Sequence, residues 1–100
     1  MLVISYVFAG FFVVNGIPHF TQGLAGNRFQ SPFAKPPGVG ESSALINVLW
    51  GAANLLIGYA LLGYAGFFQP GLNLPSYLFF GSGLITAITL ALHFCRVRNN

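Results

Sequence analysis

The sequence predicts an all-α fold, an integral membrane bundle of three helices with one Pro-rich interfacial loop. Hydrophobic residues make up 55% of the 100 residues and charged residues only 5%, whereas about a quarter of the residues in a soluble domain are charged. Three apolar stretches, at about 2–20, 44–66 and 76–94, contain no Asp, Glu, Lys or Arg. Each has about the 20 residues needed to cross a hydrocarbon core. We therefore expect a single transmembrane domain over residues 1–100.

The first apolar stretch is expected to be a retained helix. Lipid offers no partner to unpaired backbone groups, so a membrane-crossing stretch has to be helical. Asn15 and Pro18 interrupt its end. No basic segment precedes the stretch and no small-x-small cleavage pattern follows it, which argues against a signal peptide.

The connection over residues 21–43 is predicted to be an ordered cytoplasmic loop. Pro32, Pro36 and Pro37 prevent a continuous helix, and Ser43 is a suitable N-cap for the second helix. We expect the apolar loop residues to dip toward the membrane, so that the loop covers the ends of the helices. A flexible linker that merely joins two helices is the alternative. In the second connection, Pro75 suits the first turn of the third helix.

The basic residues predict the orientation of the chain. With three crossings, Arg28, Lys35, Arg96 and Arg98 all lie on one side of the membrane, and no Lys or Arg lies on the other. The positive-inside rule makes that side cytoplasmic, with the N-terminus outside and the C-terminus inside. These four residues are candidates for contacts with lipid headgroups. Four scattered basic residues do not form the clustered surface that a nucleic-acid-binding protein needs.

Polar residues repeat at helical spacing on all three helices. Ser82, Thr86, Thr89 and His93 share one face of the third helix, and Asn47, Gly51, Asn54 and Gly58 share one face of the second. Asn15 and His19 share a face of the first. A polar cluster of Asn15, His19, Asn47, Thr89 and His93 is expected near the cytoplasmic boundary. The full set of candidate ligand-binding residues is Asn15, His19, Asn47, Trp50, Asn54, Thr86, Thr89 and His93.

Two functional hypotheses follow from these faces. Rows of small residues favour close helix packing; these are Ser5/Ala9/Gly16 and Gly83/Ala87/Ala91. The first hypothesis is therefore a structural or accessory protein without catalysis, either a homo-oligomer or a subunit of a larger membrane complex. Alternatively, polar residues at membrane depth are candidate functional sites. The cluster would then serve a small binding or conduction module for a lipid, a quinone, haem or protons.

The sequence contains no clear pattern for a cofactor, a metal site or a catalytic reaction. Haem ligation by His19 and His93 is permitted by their expected depth but not required by their spacing, so the cofactor is unknown. The single Cys95 gives no metal-binding pattern. Glu41 provides the only side-chain carboxylate, and no catalytic triad or paired-carboxylate arrangement is evident.

The segment NGIPHF…GNRFQSPFAKPPGVGESS…NVLWGAAN, over roughly residues 15–54, resembles a signature of small, uncharacterised bacterial multi-pass membrane proteins. The resemblance implies a bacterial inner membrane and no particular reaction. The N-x-x-x-H-F ending of the first helix is also similar to DoxX-like proteins. Those proteins usually have four helices, so no function is transferred from them to a chain with three.

Overall fold

The computed structural model describes residues 2–99 of the chain. Within that range the chain forms three helices, α1 (Leu2–Leu24), α2 (Ala44–Ala65) and α3 (Leu74–Arg98), and two short antiparallel strands, β1 (Phe29–Gln30) and β2 (Glu41–Ser42). All three helices are long and apolar enough to span a membrane. The all-helical architecture predicted from the sequence is therefore confirmed.

The helix ends differ from the sequence prediction in two places. α1 continues four residues beyond the expected end at Phe20, with Pro18 inside it. A proline inside a membrane helix is tolerated where neighbouring groups satisfy the freed backbone. α3 begins at Leu74 because the Asn73 side chain accepts from the backbone N–H of Ser76 (2.9 Å), and the helix ends at Arg98.

α2 begins as predicted, with Ser43 as its N-cap. The Ser43 hydroxyl accepts from the backbone N–H of Ile46 at 3.2 Å, which satisfies one of the unpaired donors of the first turn. At its other end, Gly66 has a positive φ of 106°, which a side chain would strain. The helix therefore has a defined start and stop.

α1 is the central helix, and it packs against both α2 and α3. Asn47, Gly51, Asn54 and Gly58 form the buried face of α2, as their spacing predicted. The small row of α1, Ser5, Ala9 and Gly16, is also buried. Of the predicted small row on α3, only Gly83 is buried against α1, whereas Ala87 and Ala91 are exposed.

The loop between α1 and α2 is held together by its own hydrogen bonds. Phe29 pairs with Ser42 and Gln30 with Glu41 in a two-residue ladder that the sequence did not predict. The hydroxyls of Ser31 and Ser42 lie 2.6 Å apart, and the Gly38 N–H donates to the Ser31 carbonyl at 2.9 Å. The loop is thereby folded back on itself beside the C-terminal end of α3.

Candidate functional site

A hydrogen bond between α1 and α2 forms the centre of the site. His19 Nδ1 lies 2.9 Å from Asn47 Oδ1, and both side chains are buried. The Asn47 amide nitrogen donates to the carbonyl oxygens of Phe29 (3.1 Å), Ser42 (3.2 Å) and Ser43 (3.0 Å). Because carbonyl oxygens only accept, they fix the amide so that its oxygen accepts from His19 Nδ1–H. In the neutral imidazole, Nε2 is then unprotonated and accepts hydrogen bonds.

This arrangement makes Asn47 the junction of α1, α2 and the loop. It lies one turn after the N-cap Ser43, so its amide faces the carbonyls of the chain that enters the helix. Asn47 also lies on the face of α2 that packs against α1, where its amide contacts His19. A single amide therefore fixes both the entry of α2 and the position of the loop.

A second amide pair lies deeper in the α1–α2 interface. Asn15 Nδ2 donates to Asn54 Oδ1 at 3.0 Å, and Asn54 Nδ2 donates to the Trp50 carbonyl at 2.8 Å. The carbonyl again fixes the orientation of the Asn54 amide. Asn15 Oδ1 has no hydrogen-bond partner among residues 2–99.

The loop is joined to α3 by His93. Its Nε2 lies 2.7 Å from the Gly38 carbonyl, which can only accept, so Nε2 carries the proton and Nδ1 is an acceptor in the neutral ring. Gly38 has φ of 75°, a conformation that glycine adopts without strain. This bond holds the tip of the loop over the space between α1, α2 and α3.

The aromatic ring of Phe29 anchors the base of the loop. It is buried and packs edge-on against His19 (5.5 Å between centroids) and at a tilt of 55° against Phe94 of α3 (4.7 Å). The Arg98 guanidinium lies over the same ring, 4.9 Å from its centroid, and Arg98 Nη1 donates to Gln30 Oε1 at 2.9 Å. The loop is therefore tied to α3 at two positions.

These contacts border a partly open cavity of ≈ 240 Å³. Every helix and the loop contribute to its wall: Asn15 and His19 from α1, Trp50 from α2, Leu90, His93 and Phe94 from α3, and Gln30, Ser31, Pro32 and Gly38 from the loop. No Asp, Glu, Lys or Arg lines it.

Asn15 Oδ1 is not the only polar atom of this wall without a partner within residues 2–99. His19 Nε2 is also unpartnered and is not among the fully buried atoms, so the small exposed surface of this buried residue opens to the cavity it lines. Trp50 Nε1 is fully buried and unpartnered. Leaving a buried polar group unsatisfied costs about 1–3 kcal/mol, so the buried Trp50 Nε1 is unusual in this fold.

The structure brings together most of the predicted site residues. Asn15, His19, Trp50 and His93 line the cavity, whereas Asn47 and Asn54 lie behind it and orient His19 and Asn15.

The predicted place of Thr89 in the cluster is wrong. Thr89 is exposed, and its hydroxyl donates to its own helix at Ile85 (2.9 Å). Thr86 is buried beside α1, but it donates to Ser82 (2.8 Å) and lies outside the cavity wall. Because a threonine hydroxyl can be satisfied by its own helix, a polar stripe does not identify the face that meets other helices.

The four basic residues are found in two different situations. Arg28, Lys35 and Arg96 have exposed side chains at the loop end of the bundle, where contact with lipid headgroups stays a prediction. Arg28 also donates to the Glu41 carbonyl at 3.0 Å. Arg98 is exposed too, but it contacts Gln30 and Phe29 and lies 3.8 Å from the Glu41 carboxylate.

Sequence reasoning missed six residues of the cavity wall: Gln30, Ser31, Pro32 and Gly38 in the loop, and Leu90 and Phe94 on α3. Leu90 lies three residues before His93 and four before Phe94, and both spacings place residues on one side of a helix, which gave a signal for the two α3 residues. The loop residues had no such signal, because a non-repeating loop has no periodic face.

The site does not fit haem. His93 Nε2 is bonded to the Gly38 carbonyl, and a cavity of ≈ 240 Å³ lies below the ~300–1,000 Å³ of pockets that hold drug-sized ligands. Across the residues that the structure describes, no group of three or more His, Cys, Asp or Glu side chains is arranged to hold a metal ion.

No protein-family model, curated protein or solved structure matches this chain.

Proposed function

We propose that this chain is a small membrane-embedded binding protein, which holds a lipid-soluble molecule in the cavity beneath its loop. The supporting observation is the loop-covered cavity itself: three helices and an ordered loop converge on it, and its wall includes the unpartnered Nε2 of His19. An unsatisfied polar group facing an apolar environment is costly. A bound molecule that forms the missing hydrogen bond removes that cost.

The geometry of the loop supports the same proposal. A loop that only connected two helices would need no contact with α3. Here His93 and Arg98 of α3 both bind it, through Gly38 and Gln30 respectively. Ordering a loop costs conformational entropy. A role in covering a binding cavity explains why this loop is ordered despite that cost.

The test is to identify what accompanies the purified protein. The chain would be extracted in a mild detergent or in native lipid discs, and its small molecules would be analysed by mass spectrometry. We expect one compound enriched over bulk lipid. Leu90→Phe, which places a larger side chain in the cavity wall, should deplete it. Leu92→Phe, on the exposed face of the same helix, is the matched control and should retain it. Equal lipid content in all three proteins would contradict the proposal.

A structural or accessory role in a larger membrane complex, or as a homo-oligomer, is the second candidate. It is favoured by the amide pairs Asn15–Asn54 and His19–Asn47, which act as interhelical hydrogen bonds whether or not a ligand binds. Sizing after mild extraction, with identification of co-purifying chains, tests this role. A monomer without partners in several mild detergents would contradict it.

We further propose the bacterial inner membrane as the location, with the loop and the C-terminal end of α3 in the cytoplasm. Both carry the basic residues, and the Gly38–His93 and Gln30–Arg98 contacts join them at one end of the bundle. Reporter fusions after residue 98 and within residues 67–73 should report opposite sides of the membrane. A C-terminal fusion active only outside the cytoplasm would contradict this orientation.

A further inference from the structure

The chemistry of the cavity restricts the kind of molecule that it binds. Resting on the binding function proposed above, we infer that the ligand is a neutral amphiphile with a hydroxyl head, which enters the cavity, and an apolar tail, which lies in the groove between α1 and α3.

The head is assigned from the hydrogen-bonding atoms that the fold leaves without partners. The tautomer fixed by Asn47 leaves His19 Nε2 as an acceptor, and the amide orientation fixed by Asn54 leaves Asn15 Oδ1 as an acceptor. Gln30 uses its oxygen to accept from Arg98, so its amide nitrogen is a donor at the same cavity. A hydroxyl group donates to one atom and accepts from another. A ketone or ester carbonyl only accepts and would leave His19 Nε2 unsatisfied.

The charge of the head follows from the composition of the wall. No Asp, Glu, Lys or Arg lines the cavity. A phosphate or ammonium group there would lose its hydration without gaining a counter-charge, which is strongly unfavourable. The site therefore excludes charged lipid heads and takes a neutral one.

The tail is assigned from the size of the cavity and from a neighbouring groove. The cavity, at ≈ 240 Å³, holds a head but not a complete lipid. A groove of ≈ 350 Å³ lies between α1 and α3, with Phe11 and Thr86 among its lining residues. Phe11 is four residues from Asn15, and Thr86 is four residues from Leu90, so the groove begins one helical turn from the cavity on both helices.

The wall of this groove is apolar even though two hydroxyl-bearing residues lie in it. Ser82 and Thr86 donate to the Phe79 and Ser82 carbonyls of their own helix at 3.1 and 2.8 Å. The groove begins near the middle of α1 and α3 and extends away from the loop, from Phe11 to Val7 on α1 and from Thr86 to Ser82 on α3. A molecule whose head lies in the cavity therefore has its tail pointing away from the loop end of the bundle.

Trp50 provides a direct readout, because it is the only tryptophan in the chain and it lines the cavity. The probe is 2-bromododecan-1-ol, in which a bromine quencher lies beside the hydroxyl group. Its methyl ether has the same bromine and tail but no O–H. We expect saturable quenching of Trp50, with the alcohol binding about 3- to 10-fold more tightly than the ether, as one hydrogen bond predicts. 2-Bromoethanol, which has no tail, should give no saturable quenching.

Variants and competitors assign the quenching to the site. Leu90→Phe should abolish the saturable component, and Leu92→Phe should leave it unchanged. Dioctanoylglycerol and geranylgeraniol serve as unlabelled competitors in the wild-type protein, which requires no variant to fold. The competitor that restores fluorescence identifies a glycerolipid or an isoprenoid alcohol as the source of the hydroxyl head. Dioleoylphosphatidylglycerol, a charged lipid, should not compete.

The outcomes separate this inference from the binding function. Equal, saturable quenching by the alcohol and the ether, lost in Leu90→Phe, would overturn the hydroxyl assignment and leave the binding cavity in place. Restoration of fluorescence by the phosphatidylglycerol would overturn the neutral head. Saturable quenching by 2-bromoethanol would overturn the tail groove. If neither long-chain probe gives saturable quenching and no molecule co-purifies, the binding function itself fails.

Discussion

The two interfaces of α1 are held together by different forces. Toward α2, buried amides bridge the helices, with Asn15 bonded to Asn54 and His19 to Asn47. The backbones also approach closely: a Cβ added at Gly16 would lie 2.8 Å from the Gly51 carbonyl. Hydrogen bonds and glycine contacts together hold these two helices in close contact.

Toward α3, α1 approaches closely at one point, where a Cβ added at Gly10 would overlap the Phe79 carbonyl, and it leaves open grooves elsewhere. Gly83 contacts Val14, and grooves of ≈ 350, ≈ 340 and ≈ 330 Å³ lie along the two helices. The polar residues of α3 in this region, Ser82 and Thr86, bond to their own helix. Van der Waals packing is therefore the main attraction between these two helices.

This difference places the candidate site. The α1–α2 interface orients the polar side chains, because hydrogen bonds between helices fix rotation and depth. The α1–α3 side provides the open volume, because helices joined mainly by small contacts leave grooves beside them. The cavity lies where the rigid interface and the open interface meet, under the loop.

Replacing Asn47, the junction residue of the α1–α2 interface, should have the largest effect on the free energy of unfolding. Asn47→Ala removes the partner of His19 and the amide donor to the Phe29 and Ser42 carbonyls, whereas the Ser43 carbonyl keeps the backbone N–H of residue 47. We expect the free energy of unfolding to fall by about 2–4 kcal/mol, since buried polar groups lose their partners. The measurement is reversible unfolding in mixed micelles. Thr89→Ala, at an exposed position, should change stability by less than about 0.5 kcal/mol. Equal stability of the two variants would show that the Asn47 network is not structural.

One methyl group added to each interface compares them directly. A Cβ at Gly51 would lie 2.7 Å from Phe20 Cα, which is backbone, whereas one at Gly83 would lie 3.1 Å from the Val14 methyl group, which has room to shift. We expect Gly51→Ala to lower the free energy of unfolding by about 1–3 kcal/mol and Gly83→Ala by less than about 1 kcal/mol.

Gly81→Ala is the control for the added methyl group itself. A Cβ at Gly81 would meet nothing within 4 Å, so this variant should be neutral or stabilised by up to about 1 kcal/mol through helix propensity. A greater loss for Gly83→Ala than for Gly51→Ala in the same micelles would reverse the ranking of the two interfaces.

The smallest effect on stability is expected where the loop is tied to α3. Arg98→Ala removes the bond to Gln30 and the contact over Phe29. The side chain is 38% exposed, so we expect less than about 1 kcal/mol of lost stability. The loop itself should loosen, with faster amide exchange at Ser31 and Gly38 and faster tryptic cleavage after Arg28.

Arg96→Ala is the matched control, because Arg96 is an exposed basic residue on the same helix. It should leave amide exchange and cleavage within the loop unchanged. Rapid exchange at Ser31 and Gly38 already in the wild-type protein would show that the loop does not cover the cavity.

Site residues were predictable from the sequence where they recur at helical spacing. The spacing of Asn47, Gly51, Asn54 and Gly58 predicted the buried face of α2, because a polar or small residue at every turn of an apolar helix has no use toward lipid. The pairing of Asn15 and His19 on one face of α1 was predictable for the same reason. Thr89 failed because its hydroxyl bonds to its own helix and needs no partner elsewhere.

The sequence by itself determined three membrane-length helices, the N-cap of α2 and the buried polar face of α2, because these depend on local composition and on the 3.6-residue period. Only the tertiary structure decided that α1 is central, that α3 turns Leu90 and Phe94 toward the cavity, and that the loop binds His93 and Arg98. These features depend on which surfaces fit together across long sequence separations. The Gly38–His93 bond joins residues 55 positions apart, a distance over which no local pattern carries information.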